Sequence, residues 1–475
     1  MINLKKIGQS FYEIPIEQKM RVKGYAFIDD MMAQSEETHQ ALIQLKNVAW
    51  IPGVQEFVVA MPDIHYGYGF PIGGVAATGV EDGVVSPGGV GYDINCGVRA
   101  IKTELLIKDV EERIDELVMQ LYRTVPAGVG SKGEIRLSQK DEKKVVETGA
   151  RWAMQHGFGE PDDLLFCEDN GCLEGSEVAD ISNEARKRGQ DQLGTLGAGN
   201  HFLEIDYVKE IYDKDAARAY GLSEEQIVVL LHTGSRGFGY QICDDYLKQM
   251  RKESSFELPD PQLTSVYIGQ PLGKRYISAM KGAANYAWAN RQVLTHLIRK
   301  SFESVYRISY SKLGMGIIYD VSHNIARFEK HKVGGKEKTV CVHRKGATRA
   351  FPPNHPDLPE KYKEVGQPVL IPGDMGRSSY ILKGGTESMK KSFGTTCHGA
   401  GRLLSRRRAM KESQDRNIKK ELEKRGIVVL SKSPKTLREE MSDAYKDVST
   451  IVDIVAQNDL AYKVAKLIPI GVVKG

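Results

Sequence analysis

Three apolar, strand-like runs lie far apart in the chain, and each carries a histidine where the run meets a turn or loop: His201, His232 and His323. One histidine at a strand end is most often a hydrogen-bonded structural residue, but imidazole is also the commonest metal ligand. Three of them in this setting ask for a fold that gathers several strand ends at one place. Many short strands ending in polar loops, with helices between them, predict an α+β fold. The expected form is one large domain over 1–475, with an antiparallel, sandwich-like β core surrounded by helices.

The run from Ser86 to Arg99, SPGGVGYDINCGVR, supplies other donor types. Its glycines surround one carboxylate, Asp93, and one thiol, Cys96. Glycine serves where backbone must come close to another group or take φ > 0. A thiolate three residues from a carboxylate is half of a site for a divalent transition metal, and imidazoles complete such a set. Asp93, Cys96, His201, His232 and His323 are therefore the candidate ligands for one or two ions. A lone zinc takes four protein ligands. Five candidates, one a thiolate able to bridge, point to two adjacent ions, an arrangement suited to phosphoryl chemistry.

The formal net charge of +4 permits a polyanionic partner without requiring one. Cys96, Cys167, Cys172, Cys243, Cys341 and Cys397 are too sparse in 475 residues for a disulfide framework. No apolar stretch has bilayer length, and the first residues lack a signal-peptide core. The expected compartment is a reduced, cytoplasmic one.

Helices are expected over 29–46, 108–123, 141–156, 175–190 and 276–306. In the second, Val110, Ile114, Leu117, Val118 and Leu121 share a face. In the last, Ala287, Leu294, Leu297, Ile298 and Val305 do, with His296 read as structural. The polar stretch 130–192 reads as a helical cap or insertion, in which Cys167 and Cys172 fit no metal spacing. Strand character is found at 56–60, 227–231, 316–322 and 468–473. The first of these breaks into an aromatic, Gly/Pro-rich loop carrying Asp63 and His65.

The C-terminal half adds a cationic loop, HRKGATR at 343–349, and a Gly/Ser turn from Ile371 to Tyr380. The backbone N–H groups and hydroxyls of that turn suit a phosphate, although it lacks the Gly-Lys-Ser/Thr ending of the common phosphate loop. His398 sits among small residues in CHGAGR, followed by Arg402, Arg406, Arg407, Arg408 and Lys411. That basic run, taken alone, reads as a solvated helix. The chain ends in an apolar run with Lys474 next to last.

Assembled, these motifs resemble the RtcB family of RNA-splicing ligases from end to end. VGYDINCGVR, GNHFLE, HTGSRG, the SHN at His323, HRKGATR, CHGAGR and the terminal VVKG carry the resemblance. It implies a GTP- and Mn²⁺-dependent ligase that joins RNA bearing a 2′,3′-cyclic phosphate or 3′-phosphate to RNA bearing a 5′-hydroxyl, such as tRNA halves. It implies roles in tRNA splicing and RNA repair, with an archease-type activator as a partner in some members. Carried over, the metal ligands are Asp93, Cys96, His201, His232 and His323, with Cys96 bridging two Mn²⁺ ions. His398 becomes the nucleophile that takes GMP from GTP, and GMP then passes to the RNA 3′-phosphate before the 5′-hydroxyl displaces it.

The implied guanylate pocket comprises Asn200, His201, Phe202, Leu203, Glu204, His323, Asn324, Pro372, Gly373, Asp374, Met375, Ser379, His398, Gly399, Ala400, Gly401, Tyr445 and Lys474. Glu204 suits the N1/N2 edge of guanine, and Tyr445 offers a stacking face. Arg188, Arg236, Lys345 and Arg406 match cations that bind the RNA backbone. Asp63 is read from its chemistry as the carboxylate that holds the His398 tautomer. Asp374 departs from the family pattern, which has a serine there. Its charge either pairs with Arg377, also a departure, or meets base or ribose donors.

Two other readings compete. A metal-dependent phosphoesterase acting on RNA 3′ ends would need the metal ligands but not His398, Glu204 or Lys474. A non-catalytic RNA-binding protein would need only a closed structural metal site.

Overall fold

The computed structural model describes residues 2–475, as a mixed α+β fold built on two large sheets. The first has seven strands, in the order Lys5–Gly8, Phe11–Ile14, Lys23–Ala26, Val54–His65, Ile72–Gly79, Lys336–Lys345 and Asn324–Val333. Only the Lys23–Ala26 and Val54–His65 pair is parallel. The second runs Ile317–Ser322, Gly97–Leu106, Gln226–Thr233, Phe202–Ile211, Ala461–Lys474, Ser379–Gly384 and Pro368–Ile371, all antiparallel. Val428–Ser431 joins it in parallel beside Ala461–Lys474.

The second sheet curls until its outermost strands approach each other, so it is nearly closed. Strand alternation then sorts its side chains. Val98, Ala100, Val228, Leu230, Ile318, Val321, Leu370 and Ile381 fill the inside. Ile101, Leu203, Ile205, Val229 and Leu231 face outward, against Leu117, Val118 and Leu121 of the helix Ile114–Thr124. The apolar stripe expected over 108–123 is thus buried, although a 3-10 turn at Glu111–Arg113 interrupts the helix.

The helix Pro271–Tyr306 is the longest element, at 36 residues. It starts at a proline, where the missing N–H costs nothing. It is not one-sided. Alongside its apolar face it buries Asn285, Asn290, Arg291, Gln292, Thr295 and Arg299. His296 packs edge-on against the Phe158 ring at 5.5 Å.

Between 130 and 192 the chain forms Gln139–Thr148, Ala150–Gln155 and Asn183–Gly189, lying over that long helix. The single helix expected over 141–156 is broken at Gly149. Its φ is +57°, and a Cβ there would fall 2.3 Å from the Gly171 carbonyl oxygen. Asp163 ties this segment to Arg299 through two contacts of 2.6 and 2.7 Å. The helix expected from 29 begins only at Glu36, because the Ser35 hydroxyl accepts the Thr38 N–H and caps it there. No helix among the described residues is long and apolar enough to cross a membrane.

Candidate functional site

The two sheets meet at His323. The chain leaves the nearly closed sheet at Ser322 and enters the other at Asn324. Cys96 precedes the strand Gly97–Leu106, hydrogen-bonded alongside Ile317–Ser322 on one edge and Gln226–Thr233 on the other. His232 lies in the last residues of the latter, and His201 immediately before Phe202–Ile211. Neighbouring strand ends therefore deliver all three histidines and the thiol to one spot. Gly97 is required there, since a Cβ would sit 2.2 Å from the Val321 carbonyl oxygen.

The donor atoms converge. Cys96 Sγ lies 3.2 Å from His232 Nε2 and 3.4 Å from His201 Nε2. His232 Nε2 is 3.3 Å from His323 Nε2, and Asp93 Oδ2 is 2.8 Å from His201 Nε2. They form two groups able to hold a cation, Cys96/His232/His323 and Asp93/Cys96/His201, with Cys96 common to both. The His201 Nδ1 faces the Leu196 carbonyl at 3.0 Å, which orients the ring so that Nε2 points at Asp93 and Cys96. The Ser235 N–H donates to Asp93 Oδ1 at 2.9 Å and aims its other oxygen inward.

Burial, with the His201 and His398 charges adding to it, holds the His232 imidazole far below its usual range. Burial, then the His398 and His232 charges, do the same for His323. Both rings are neutral donors. Burial, then Asp93, pushes the Cys96 thiol well up. Burial also opposes ionisation of Asp93, yet the His201 hydrogen bond and the His201 and Arg236 charges hold it at about 2. A thiol, a carboxylate and three imidazoles with their ligand atoms this close together fit a divalent cation of intermediate softness.

His398 follows the short strand Thr395–Cys397, and its ring lies 4.9 Å from that of His323. Asp63 is fully buried. One of its oxygens contacts His398 Nδ1 at 2.6 Å and accepts the His398 backbone N–H at 2.9 Å. The ring is thereby clamped at Nδ1, which leaves Nε2 as the free nitrogen. Lys446, which nothing in the sequence singles out, donates to the carbonyls of Pro62 and Ile64 on either side of Asp63. Burial lowers its ammonium to about 8.

These groups open into one cleft of about 780 Å³. Asn200, Phe202, Glu204, Asn324, the turn from Pro372 to Met375, His398 to Gly401, Tyr445 and Lys474 line it together with Asp93, Cys96, His232 and His323. Burial, then the nearby Asp206, pushes Glu204 well above the usual carboxylate range, while the Lys474 charge pulls the other way. Lys474 is itself anchored to the Gly199 carbonyl at 2.9 Å. Asn324 bridges the Asp93 carbonyl and the Gly346 N–H.

Of the residues expected to meet nucleotide or RNA, five, His201, Leu203, Ser379, Arg188 and Arg236, do not line the cleft. The Leu203 side chain packs in the outer apolar cluster, because alternation along its strand turns it away from Phe202 and Glu204. Ser379 accepts the Gly373 N–H at 3.2 Å and braces the turn from behind. Arg188 sits outside the cleft, paired with Glu184 at 3.4 Å. Of the other cations, Lys345 and Arg406 line the cleft. Lys345 donates to the Tyr68 and Phe70 carbonyls, and burial lowers it to about 7. Arg236 lies behind the Asp93/Cys96/His201 group, 3.2 Å from Thr195 Oγ1 and 3.4 Å from His201 Nδ1.

Asp374 pairs with Arg377. Its other oxygen accepts the Gly376 N–H and the Ser442 hydroxyl. Arg377 in turn donates to the carbonyls of Ser442 and Tyr445, at 2.7 and 3.0 Å. The two departures form one clamp joining the Gly/Ser turn to the segment that carries Tyr445. Glu440, a further buried residue lining the cleft, accepts the Tyr445 hydroxyl and a 3.1 Å contact from Arg402. No spacing in the sequence announces either Glu440 or Lys446, since each acts only through residues remote in the chain.

Residues 44–475 match the family described as tRNA-splicing ligase RtcB. A tRNA-splicing ligase RtcB of Thermococcus kodakarensis is 49% identical over 100% of this chain and 99% of its own. One of Methanococcus maripaludis is 48% identical over 99% of each. An RNA-splicing ligase RtcB homolog 1 of Entamoeba histolytica is 47% identical over 91% of this chain and 83% of its own.

Proposed function

The chain belongs to the tRNA-splicing ligase RtcB family and is an RNA ligase of the 3′-phosphate/5′-hydroxyl class, and from that premise we propose how its own residues divide the work. The observation that carries the proposal is the 2.6 Å contact between Asp63 and His398 Nδ1, beside the Cys96/His232/His323 group and in one cleft with Glu204.

Asp93, Cys96 and His201 would hold one divalent ion, and Cys96, His232 and His323 a second, with Mn²⁺ the metal the family implies. The ions would supply Lewis-acid polarisation of phosphoryl oxygens. Asp63 keeps the proton on Nδ1 of His398, so Nε2 presents its lone pair to the cleft. His398 Nε2 forms a bond to the α-phosphorus of GTP as the bond to the pyrophosphate oxygen breaks and pyrophosphate leaves. Splitting the displacement in this way is what a covalent nucleophile contributes. An oxygen of the RNA 3′-phosphate then takes the GMP, freeing His398. The 5′-hydroxyl oxygen of the second RNA attacks that activated phosphate and GMP departs.

Glu204 selects guanine by accepting from N1–H and N2–H, and those donors supply what burial denies its carboxylate. Tyr445 stacks on the base and Lys474 neutralises phosphate. The segment 130–192 acts as a cap on a single domain, the protein works in the cytoplasm, and an archease-type activator is a partner.

The test is incubation with α-labelled GTP and Mn²⁺. Acid-labile label on the protein is expected, and it should be absent from His398→Ala. Cyclic-phosphate hydrolysis without any label would overturn the nucleotide-dependent reading.

A further inference from the structure

A series of tyrosines climbs from the metal group to the surface. Tyr92 immediately precedes Asp93 and lines the cleft with Tyr68. The Tyr68 and Tyr92 rings meet edge-on at 5.7 Å, and Tyr92 stacks on Tyr240 at 4.8 Å with 26° between their planes. Tyr240 is 48% exposed although its ring is stacked on one side. It leaves an aromatic surface open at the top of the series.

Cations flank the series. Tyr240 lies one turn beyond Arg236 in the helix Arg236–Glu253, and Arg188 packs beside Gly237 at the start of that helix. On the other side Arg251 donates to the Tyr68 hydroxyl at 3.0 Å, and Lys345 holds the Tyr68 carbonyl. The acidic residues nearby are occupied. Asp244 pairs with Lys248 at 2.7 Å and Glu184 with Arg188 at 3.4 Å, while Asp245 accepts from Ser182 and Gln241. An aromatic face with cations at its sides and no free carboxylate beside it matches a nucleic-acid strand, whose bases stack while its phosphates meet the cations.

We propose that Tyr240, backed by Tyr92 and Tyr68, is a stacking platform for single-stranded RNA, engaging a nucleobase within a few nucleotides of the joining point. The proposal rests on the ligase reading of the cleft, because it is the adjacency of Tyr92 to Asp93 that puts the platform at the junction. Stacking on a tyrosine ignores base identity, which suits a ligase that must accept different ends. It also assigns Arg188, outside the cleft, a place along the same strand.

The platform is tested with Tyr240→Ala, Tyr240→Phe and Tyr240→Trp in the full chain. RNAs carry 2-aminopurine at the 3′-phosphate end in one set and at the 5′-hydroxyl end in the other. Binding of wild type should quench the fluorophore in one set, which identifies the strand held. Tyr240→Ala should abolish the quench, and Tyr240→Phe and Tyr240→Trp should keep it. The KM for RNA in the joining reaction should rise roughly ten-fold in Tyr240→Ala, with GTP-dependent labelling of the protein unchanged. An abasic nucleotide at the quenched position should raise the wild-type KM to the same level and leave Tyr240→Ala unaffected. Equal quenching by wild type and Tyr240→Ala in both sets, with an unchanged KM, overturns the platform. The fluorescence reads stacking whether or not the protein takes up GMP, so failure of the nucleotide-dependent reading would register separately, in the label.

Discussion

His398 and Asp63 come together across 335 residues of chain, and their contact sets what the nucleophile is able to do. Replacing Asp63 by asparagine preserves volume but removes the charge and lets either ring nitrogen carry the proton. Asp63→Asn is expected to slow GMP–protein formation by roughly 10²–10⁴-fold while bound Mn²⁺ per chain stays the same. Normal labelling would rule out the orienting role. The Asp374–Arg377 clamp invites a second change. Removing the guanidinium leaves a carboxylate without its counter-charge in the cleft proposed to take GTP, so Arg377→Ala should weaken GTP binding on the order of ten-fold. Adding Asp374→Ser should restore most of it, which a GTP titration of label formation would read. The residues of the Asp93/Cys96/His201/His232/His323 group were singled out in the sequence because their types are chemically distinctive and they fall at or near strand ends. Glu440 and Lys446 were not, because a carboxylate or an ammonium in a polar stretch looks like any solvated side chain until tertiary contacts bury it.

The long helix Pro271–Tyr306 and the strand Ile317–Ser322 form the support beneath the metal group. Arg291 and Arg99 both reach Asp320 at 2.8 Å, and the Trp288 indole donates to it at 3.1 Å, all out of contact with water. Arg291 also holds the carbonyls of Asn95 and Thr233, next to Cys96 and His232. Removing one partner from such a group leaves an uncompensated buried charge, so Asp320→Asn should cost about 3–5 kcal/mol, read as a lower urea midpoint. The same carboxylate sets an acid limit. Burial alone would raise Asp320, but the charges of Arg291 and Arg99 outweigh it and hold it below its usual value. Its stabilising contribution is complete above the unfolded value, about 3.9, and is lost as pH falls through the lower folded value. The wild-type urea midpoint should therefore drop below pH 4 by more than that of Asp320→Asn. Helix and strand positions were legible from periodicity, as at 276–306 and 227–231. The polar face of the long helix was not, since asparagine and arginine on a helix signal solvent unless buried partners are known. Nor was strand order, which pairs the chain's last strand with Phe202–Ile211 through contacts no local pattern encodes.

At the scale of the whole molecule the Asp93/Cys96/His201/His232/His323 group is placed where a bound ion would act as a rivet. Asp93 and Cys96 lie just before one strand of the nearly closed sheet, His201 just before another, His232 within a third, and His323 where the chain crosses into the seven-stranded sheet. An ion bound there links both sheets and is absent from the unfolded chain, so its binding energy adds to folding energy. At a free Mn²⁺ concentration 100 times its dissociation constant the gain is about 2.7 kcal/mol. The unfolding entropy of globular proteins, about 2.1 cal/mol/K per residue, makes that gain small in temperature for a chain of 475 residues, on the order of 3 °C. Chelation should lower Tm by that amount, and Mn²⁺ should restore it. Cys96→Ala removes the donor common to both groups and should abolish the response to Mn²⁺ altogether. His398→Ala, which removes the nucleophile but no metal donor, should respond as wild type does. Should His398→Ala also lose the response, the histidine would count among the ligands, and the separation of nucleophile from metal would fail. If Cys96→Ala kept it in full, the ion would be held by imidazoles and carboxylate alone, and the sharing of one thiolate by two ions would be wrong.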